Sequence, residues 1–93
     1  MAVDVSNPEQ VDTIATTTAA IMNRRDFARG VQEARNGLPP NYDDCEEDGY
    51  WSYERGRQFA LVAPRSLPLR IGGRLNPKAI ALYDAACKRG WLI

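Results

Sequence analysis

Residues 24–62 read RRDFARGVQEARNGLPPNYDDCEEDGYWSYERGRQFALV, and this stretch decides the fold. Its first part, residues 24–36, places Phe27, Val31 and Ala34 on one face at helical spacing. The spacing predicts an amphipathic helix over residues 24–36 that buries this face against the rest of the chain.

Helix-breaking residues mark the ends of the loop that follows. Gly37 stands where a left-handed residue would close the helix, and Leu38-Pro39-Pro40 cannot continue it. The acidic loop, residues 41–49, is dominated by carboxylates whose mutual repulsion favours an extended, solvated path. A second helix that carries Trp51, Tyr53 and Phe59 is predicted over residues 50–62, and Pro64 ends it.

Two further helices are predicted outside this stretch. A capping box at residues 6–9 begins a helix over residues 7–22. Asn76-Pro77, an N-cap residue followed by a proline, begins another over residues 77–89. The segment between them, residues 63–76, is rich in proline and glycine and is predicted as a loop, in which alternating apolar residues allow a short edge strand.

The predicted fold class is therefore all-α, a small bundle of about four helices in a single domain, residues 1–93. A chain of 93 residues can bury only one modest core. Its hydrophobic fraction of 44% and charged fraction of 26% are close to the globular average, which argues against a largely disordered chain. Residues 1–6 are expected to be flexible.

Small residues recur at helical spacing on the two central helices. Gly30 and Gly56 fall in predicted helix interiors, where glycine costs about 1 kcal/mol relative to alanine. A close approach of the two helix backbones accounts for both glycines without any ligand. The residues predicted to pack this helix pair are Phe27, Gly30, Ala34, Tyr53, Gly56 and Ala60.

This spacing resembles the pattern of the ribosome modulation factor family over residues 27–60. In that family, two helices joined by a proline-bearing linker carry aromatic-x-x-Gly and Trp-x-x-Gly-Trp-x-x-Ala signatures. The resemblance implies a helix pair with these positions at its contact: Phe27, Gly30, Gly37, Tyr53, Gly56 and Ala60. As function it implies binding of ribosomal RNA, by which members of the family drive ribosomes into an inactive dimer.

Charge is segregated along the chain although the net charge is zero. Residues 1–54 hold eleven acidic and four basic side chains, and residues 55–93 hold one acidic and eight basic side chains. Two interpretations stay open at this point. The two halves can neutralise each other inside the fold, or they can present opposite fields to charged partners.

The residue types argue against several classes of function. The chain has no histidine, which removes the commonest general base and metal ligand. Cys45 and Cys87 form no C-x-x-C pair and are expected to be reduced thiols. The carboxylates of residues 41–49 lack the alternate spacing of a calcium loop. We therefore predict no enzymatic activity, no catalytic residues, no metal site and no cofactor, and we expect a cytoplasmic protein without a signal peptide or membrane span.

These observations predict a small interaction module that binds a larger protein or ribonucleoprotein assembly. The alternative is a ribosome- or RNA-associated protein, and a homodimer built with the apolar tail Trp91-Leu92-Ile93 is a further expectation. Composition and size are also similar to those of small phage accessory proteins, including inhibitors of host enzymes. The predicted partner-binding residues are Asp43, Asp44, Glu46, Glu47, Asp48, Arg57, Arg65, Arg70, Arg74 and Trp91.

Overall fold

A computed structural model describes residues 17–92, which form four α-helices and one β-hairpin. The elements are α1 (Thr18–Met22), α2 (Arg25–Arg35), α3 (Tyr50–Val62), β1 (Arg70–Ile71), β2 (Arg74–Leu75) and α4 (Pro77–Lys88). The helices predicted over residues 24–36, 50–62 and 77–89 are confirmed to within one residue at each end. Of the helix predicted over residues 7–22, only the last turn belongs to the described part of the chain, and the expectation for residues 1–6 lies outside it.

The hairpin corrects the all-α prediction and interrupts the loop predicted over residues 63–76. β1 and β2 pair antiparallel, with Arg70 opposite Leu75. Gly72 and Gly73 connect them with φ angles of +60° and +80°. A two-residue turn with positive φ at both positions matches the twist of the strands that it joins, and glycine adopts it without steric cost. Gly72 and Gly73 therefore form the turn that lets β1 and β2 pair.

The end of α2 has the closure predicted from Gly37. This glycine has a φ of +72°, and its amide donates to the Ala34 carbonyl at 3.0 Å. The next amide, of Leu38, donates to the Glu33 carbonyl at 2.9 Å. The two bonds form a Schellman motif, which satisfies the last carbonyls of the helix and turns the chain into the acidic loop.

Helices α2 and α3 cross where two glycines face each other. A Cβ on Gly30 would overlap the Tyr53 carbonyl oxygen and lie 3.0 Å from the Arg57 backbone nitrogen. A Cβ on Gly56 would overlap the Phe27 carbonyl oxygen in the same way. Both glycines are buried, and each lacks a side chain where the other helix passes. The backbones can therefore pack in direct contact, which no larger residue allows.

The core joins this crossing to α4 through aromatic rings. Phe27 lies 5.8 Å from Phe59 and 5.7 Å from Tyr83, measured between ring centroids, and all three side chains are buried. Aromatic pairs at this spacing contribute packing energy beyond the apolar area that they bury. The remaining buried core residues are Met22, Val31, Ala63, Ala79, Ala86 and Leu92, with Ala60 packed against them.

Candidate functional site

A buried carboxylate fixes the acidic loop onto the start of α2. Asp26 is completely buried, and its oxygens accept hydrogen bonds from Arg25 Nη2 at 3.1 Å, Arg29 Nε at 3.4 Å and the backbone amide of Glu46 at 2.8 Å. A buried charge is tolerated when it is paired and hydrogen-bonded in this way. Asp26 therefore ties the loop to the helix that precedes it.

The path of the loop corrects the expectation of an extended chain. Two turns fold it, with the Cys45 amide donating to the Tyr42 carbonyl at 3.1 Å and the Gly49 amide to the Glu46 carbonyl at 2.9 Å. Gly49 is buried against the Asp26 carboxylate, and a Cβ on Gly49 would overlap this carboxylate. The loop can fold because arginines of the first half offset the repulsion between its carboxylates.

Two of those arginines hold the loop from outside. Arg24 Nη2 forms an ion pair with Asp48 at 2.8 Å, and Arg25 Nη2 donates to the Asp44 carbonyl at 2.7 Å. The hydrogen bond from Arg24 lowers the pKa of Asp48 below its ordinary value and raises that of Arg24. The contacts restrict the backbone of the loop and leave most of its carboxylates in water.

A tyrosine in α3 anchors the beginning of the loop. The buried Tyr53 hydroxyl accepts from the Asn41 amide at 2.9 Å and donates to Glu33 Oε1 at 2.5 Å. Arg29 Nη1 completes the set with an ion pair to Glu33 at 2.8 Å. The Tyr53 hydroxyl and Arg29 together lower the pKa of Glu33, since both stabilise its charged form.

Carboxylates and tyrosine rings share the outer surface of the loop. All five acidic residues of residues 43–48 are exposed, and the rings of Tyr42 and Tyr50 beside them are 41% and 57% exposed. The centroids of these two rings lie 5.9 Å apart in an edge-to-face arrangement, and the Tyr42 hydroxyl donates a hydrogen bond to the Glu54 carboxylate. We refer to the following residues as the acidic–aromatic surface: Tyr42, Asp43, Asp44, Glu46, Glu47, Asp48 and Tyr50.

Cys45 lies under this surface and is a poor nucleophile. Its Sγ is 3.0 Å from Arg29 Nη2, and the thiol is partly buried. Burial, and then the nearby charge of Asp26, raise the pKa of the Cys45 thiol above its ordinary value. A raised pKa favours the protonated thiol over the nucleophilic thiolate.

The basic second half does not neutralise the acidic loop within residues 17–92. Each of the four ion pairs found there joins an arginine of the first half to a carboxylate of the first half. The basic residues of the second half find other partners. Arg57 donates to the Leu38 carbonyl at 2.9 Å, Arg65 to the Arg35 carbonyl, and Arg70 to Asn23 Oδ1 at 2.7 Å.

The other predicted partner-binding residues lie apart from the acidic–aromatic surface in sequence and in their contacts. Arg74 is exposed on the hairpin, and Trp91 is 51% exposed, with the Arg89 guanidinium 5.1 Å from its ring centroid. The neighbouring Leu92 is buried in the core. Of the tail Trp91-Leu92-Ile93, Leu92 therefore belongs to the core and the Trp91 ring lies on the surface, while Ile93 is outside the described residues.

Sequence reasoning missed the residues that shape the acidic loop. Asp26 and Gly49 were not singled out, and neither were Tyr42 and Tyr50 at the ends of the acidic run. The available signal was an acidic residue in the first turn of a helix, next to Arg25 and three residues before Arg29. That signal alone does not show that the residue is buried by a segment twenty positions later.

Residues 17–92 contain neither a cluster of metal ligands nor a membrane-spanning helix. No group of three or more cysteine and acidic side chains there is arranged to hold a metal ion. No helix within the same residues is long and apolar enough to cross a membrane.

Comparison with known proteins adds no relative to this description. No protein-family model matches the chain, and neither a curated protein nor a solved structure is significantly similar to it.

Proposed function

We propose that the chain is a non-enzymatic interaction module whose acidic–aromatic surface binds a basic face of a larger protein assembly. The observation that carries this proposal is the pairing of charges: within residues 17–92 the ion pairs stay inside the first half of the chain. The negative potential of residues 43–48 is therefore offset in part by Arg24 and Arg25, and no ion pair joins it to the basic second half within residues 17–92. A surface that keeps an excess of negative charge attracts a basic partner and steers its approach.

Two further features support a protein as the partner. Tyrosine is enriched in the energetic centres of protein interfaces, and the exposed rings of Tyr42 and Tyr50 stand among the carboxylates. The loop backbone is also held by Asp26, Arg24 and Arg25, so binding orders fewer groups than it would in an unrestrained loop. We further propose that docking on this surface inhibits the assembly, as small phage accessory proteins inhibit host enzymes.

The test is affinity capture from a cytosolic lysate with the tagged chain, before and after nuclease treatment. A variant carrying Asp43→Asn, Asp44→Asn, Glu46→Gln and Glu47→Gln keeps the Asp26 contacts and the Arg24–Asp48 ion pair. The matched control neutralises four exposed cations instead: Arg74→Gln, Lys78→Gln, Lys88→Gln and Arg89→Gln.

We expect nuclease-resistant capture of a protein that the loop variant loses and the control variant keeps. Both variants should retain the helical circular-dichroism signal, because neither set of side chains belongs to the core. Undiminished capture by the loop variant would reject the proposal.

A second candidate function is association with ribosomal RNA, as the resemblance to the ribosome modulation factor family implies. The observation in its favour is the set of second-half cations that pair with no carboxylate within residues 17–92 and lie exposed: Arg65, Arg70, Arg74, Lys78, Lys88 and Arg89. Trp91 offers an exposed ring for base stacking beside them. Capture that disappears with nuclease and with the cation variant, and weakens steeply with salt, would favour this function.

Homodimerisation is a separate proposal, in which the exposed Trp91 ring forms the contact because Leu92 already packs inside the core. Replacement of the exposed Trp91 by serine would shift a dimer toward monomer in sedimentation velocity. An unchanged sedimentation coefficient would leave no role for the Trp91 ring in self-association.

A further inference from the structure

A cleft of about 360 Å³ lies between α2 and the segment that enters the hairpin. Its apolar walls are Ala28, Val31 and Leu69, and the guanidinium-bearing residues Arg35 and Arg70 line it together with Asn36. This volume is at the lower end of the range of about 300–1,000 Å³ that small-molecule sites occupy. A mixed lining of this kind suits a ligand with a charged head and an apolar body.

Both arginines of the cleft are fixed by neutral acceptors. Arg35 Nη2 donates to the Leu67 carbonyl at 2.9 Å and to the Pro64 carbonyl at 3.2 Å. Arg70 Nη2 donates to Asn23 Oδ1 at 2.7 Å, and its Nη1 donates to the Gly73 carbonyl at 3.3 Å. These bonds set the positions of the guanidinium groups without cancelling their charge.

No carboxylate of residues 17–92 forms an ion pair with either group. The lining of the cleft contains no acidic residue at all. Two positive charges beside an apolar wall therefore stand without a counter-ion from the described chain. Arginine binds carboxylate and phosphate oxygens through several N–H groups at once, so an arginine of this cleft without a counter-ion favours an oxyanion.

We propose that this cleft binds a short amphipathic anion, with a carboxylate or phosphate head against Arg70 and an apolar tail against Val31 and Leu69. The proposal concerns a site separate from the acidic–aromatic surface and stands or falls independently of the proposed function. The two head groups share the chemistry that the arginines recognise, and the experiment below distinguishes them.

The test is a titration of the ¹⁵N-labelled chain with hexanoate, hexyl phosphate and the neutral isostere hexanamide, followed by NMR. We expect saturable shifts of the Ala28, Val31, Leu69 and Arg70 amides with one or both anions and at least tenfold weaker binding of hexanamide. The head group that binds more tightly identifies the class of ligand. Absence of saturable shifts at these amides with both anions would overturn the proposal, as would equal binding of hexanamide.

Variants separate the charge from the shape of the cleft. Arg70→Gln should weaken anion binding about tenfold, because it removes one charge-assisted contact. The matched control Arg74→Gln removes the same charge from the paired strand, outside the cleft, and should change binding less than threefold. Equal effects of the two variants would show general attraction to a basic surface and would contradict the site.

Arg70→Gln also removes the bond to Asn23, so a further variant guards against a structural effect. Asn23→Ala breaks the same bond and keeps the Arg70 charge. We expect it to bind the tighter anion within threefold of the unmodified chain. A tenfold loss in Asn23→Ala would mean that the bond to Asn23 and not the charge carries binding, and would overturn the assignment of Arg70 to the ligand.

Discussion

Gly30 and Gly56 lie on opposite sides of one helix crossing, and each occupies the place where the other helix brings its backbone closest. Gly30 sits against the Tyr53 carbonyl and Gly56 against the Phe27 carbonyl. The contact is reciprocal and involves main-chain atoms on both sides, which cannot move without displacing a whole helix turn. The Phe27 ring packs against Phe59 in the core, and the Tyr53 hydroxyl bonds to the Asn41 amide at the start of the acidic loop. The glycine contact therefore sets the spacing on which both the core and the loop depend.

Gly56→Ala should destabilise the fold by about 2 kcal/mol, because overlap with the Phe27 carbonyl outweighs the better helix propensity of alanine. For a domain of this size the melting temperature should fall by roughly 10 °C. The control is Leu61→Ala on the same helix, where the side chain is 83% exposed and the expected change is under about 0.5 kcal/mol. Urea unfolding followed by circular dichroism measures both. Equal stabilities of the two variants would contradict the close crossing.

Asp26→Asn should destabilise the chain by about 2 kcal/mol, because it weakens the hydrogen bonds that the buried carboxylate accepts from Arg25, Arg29 and the Glu46 amide. The same exchange at the exposed Asp43 should change the stability by less than about 0.5 kcal/mol. Hydrogen exchange at the Glu46 amide, which donates to Asp26, should accelerate in the first variant alone. An unchanged exchange rate there would show that Asp26 does not hold the loop.

Stability should fall on acidification partly through Glu33. The folded chain holds the pKa of Glu33 below its ordinary value of 4.5, because the Tyr53 hydroxyl and Arg29 favour the ionised form. The ionised Glu33 therefore contributes stability at pH values above about 4.5, and this contribution disappears as the pH falls through the lowered folded-state pKa.

Glu33→Gln should consequently lower stability by about 1 kcal/mol at pH 7 and flatten the acid side of the pH–stability curve. Glu47→Gln removes the same charge from an exposed position and is the matched control. Chemical unfolding at a series of pH values between neutrality and pH 3 gives the comparison. A curve for Glu33→Gln that runs parallel to that of Glu47→Gln would refute the role given to Glu33.

Asn76→Ala should cost about 2–3 kcal/mol, because the buried Asn76 side chain makes two hydrogen bonds at once. Its Oδ1 accepts from the Lys78 amide at 3.0 Å and caps α4, and its Nδ2 donates to the Pro68 carbonyl at 2.9 Å. Asn76→Asp keeps the cap and loses the Nδ2 donor, so its stability should lie between that of the unmodified chain and that of Asn76→Ala. Thermal unfolding measures the stability of all three proteins. A higher melting temperature for Asn76→Ala than for Asn76→Asp would contradict the two roles given to Asn76.

The helices and their ends were predictable from the sequence because the signals that set them are local. The spacing of Phe27 and Val31, the position of Gly37 and the Asn76-Pro77 pair each act within one or two helical turns. The sequence allowed a short edge strand in residues 63–76 but did not predict the pairing of β1 with β2. A strand of two residues has too little pattern to identify its partner, and glycine pairs are typical of both loops and turns.

The acidic loop and the cleft depend on contacts between residues that are distant in sequence, and local sequence patterns do not predict such contacts. Charge counting identified the carboxylates of residues 43–48 and the arginines of the second half, but two ways of pairing them were equally compatible with the sequence. Only the folded chain, by bringing Arg24, Asp26 and Asp48 together, decides that the loop is held by the first half. It likewise places Arg35 and Arg70 on one cleft although 34 intervening residues separate them in sequence. Periodicity determines local structure, whereas which charges meet depends on how the helices pack.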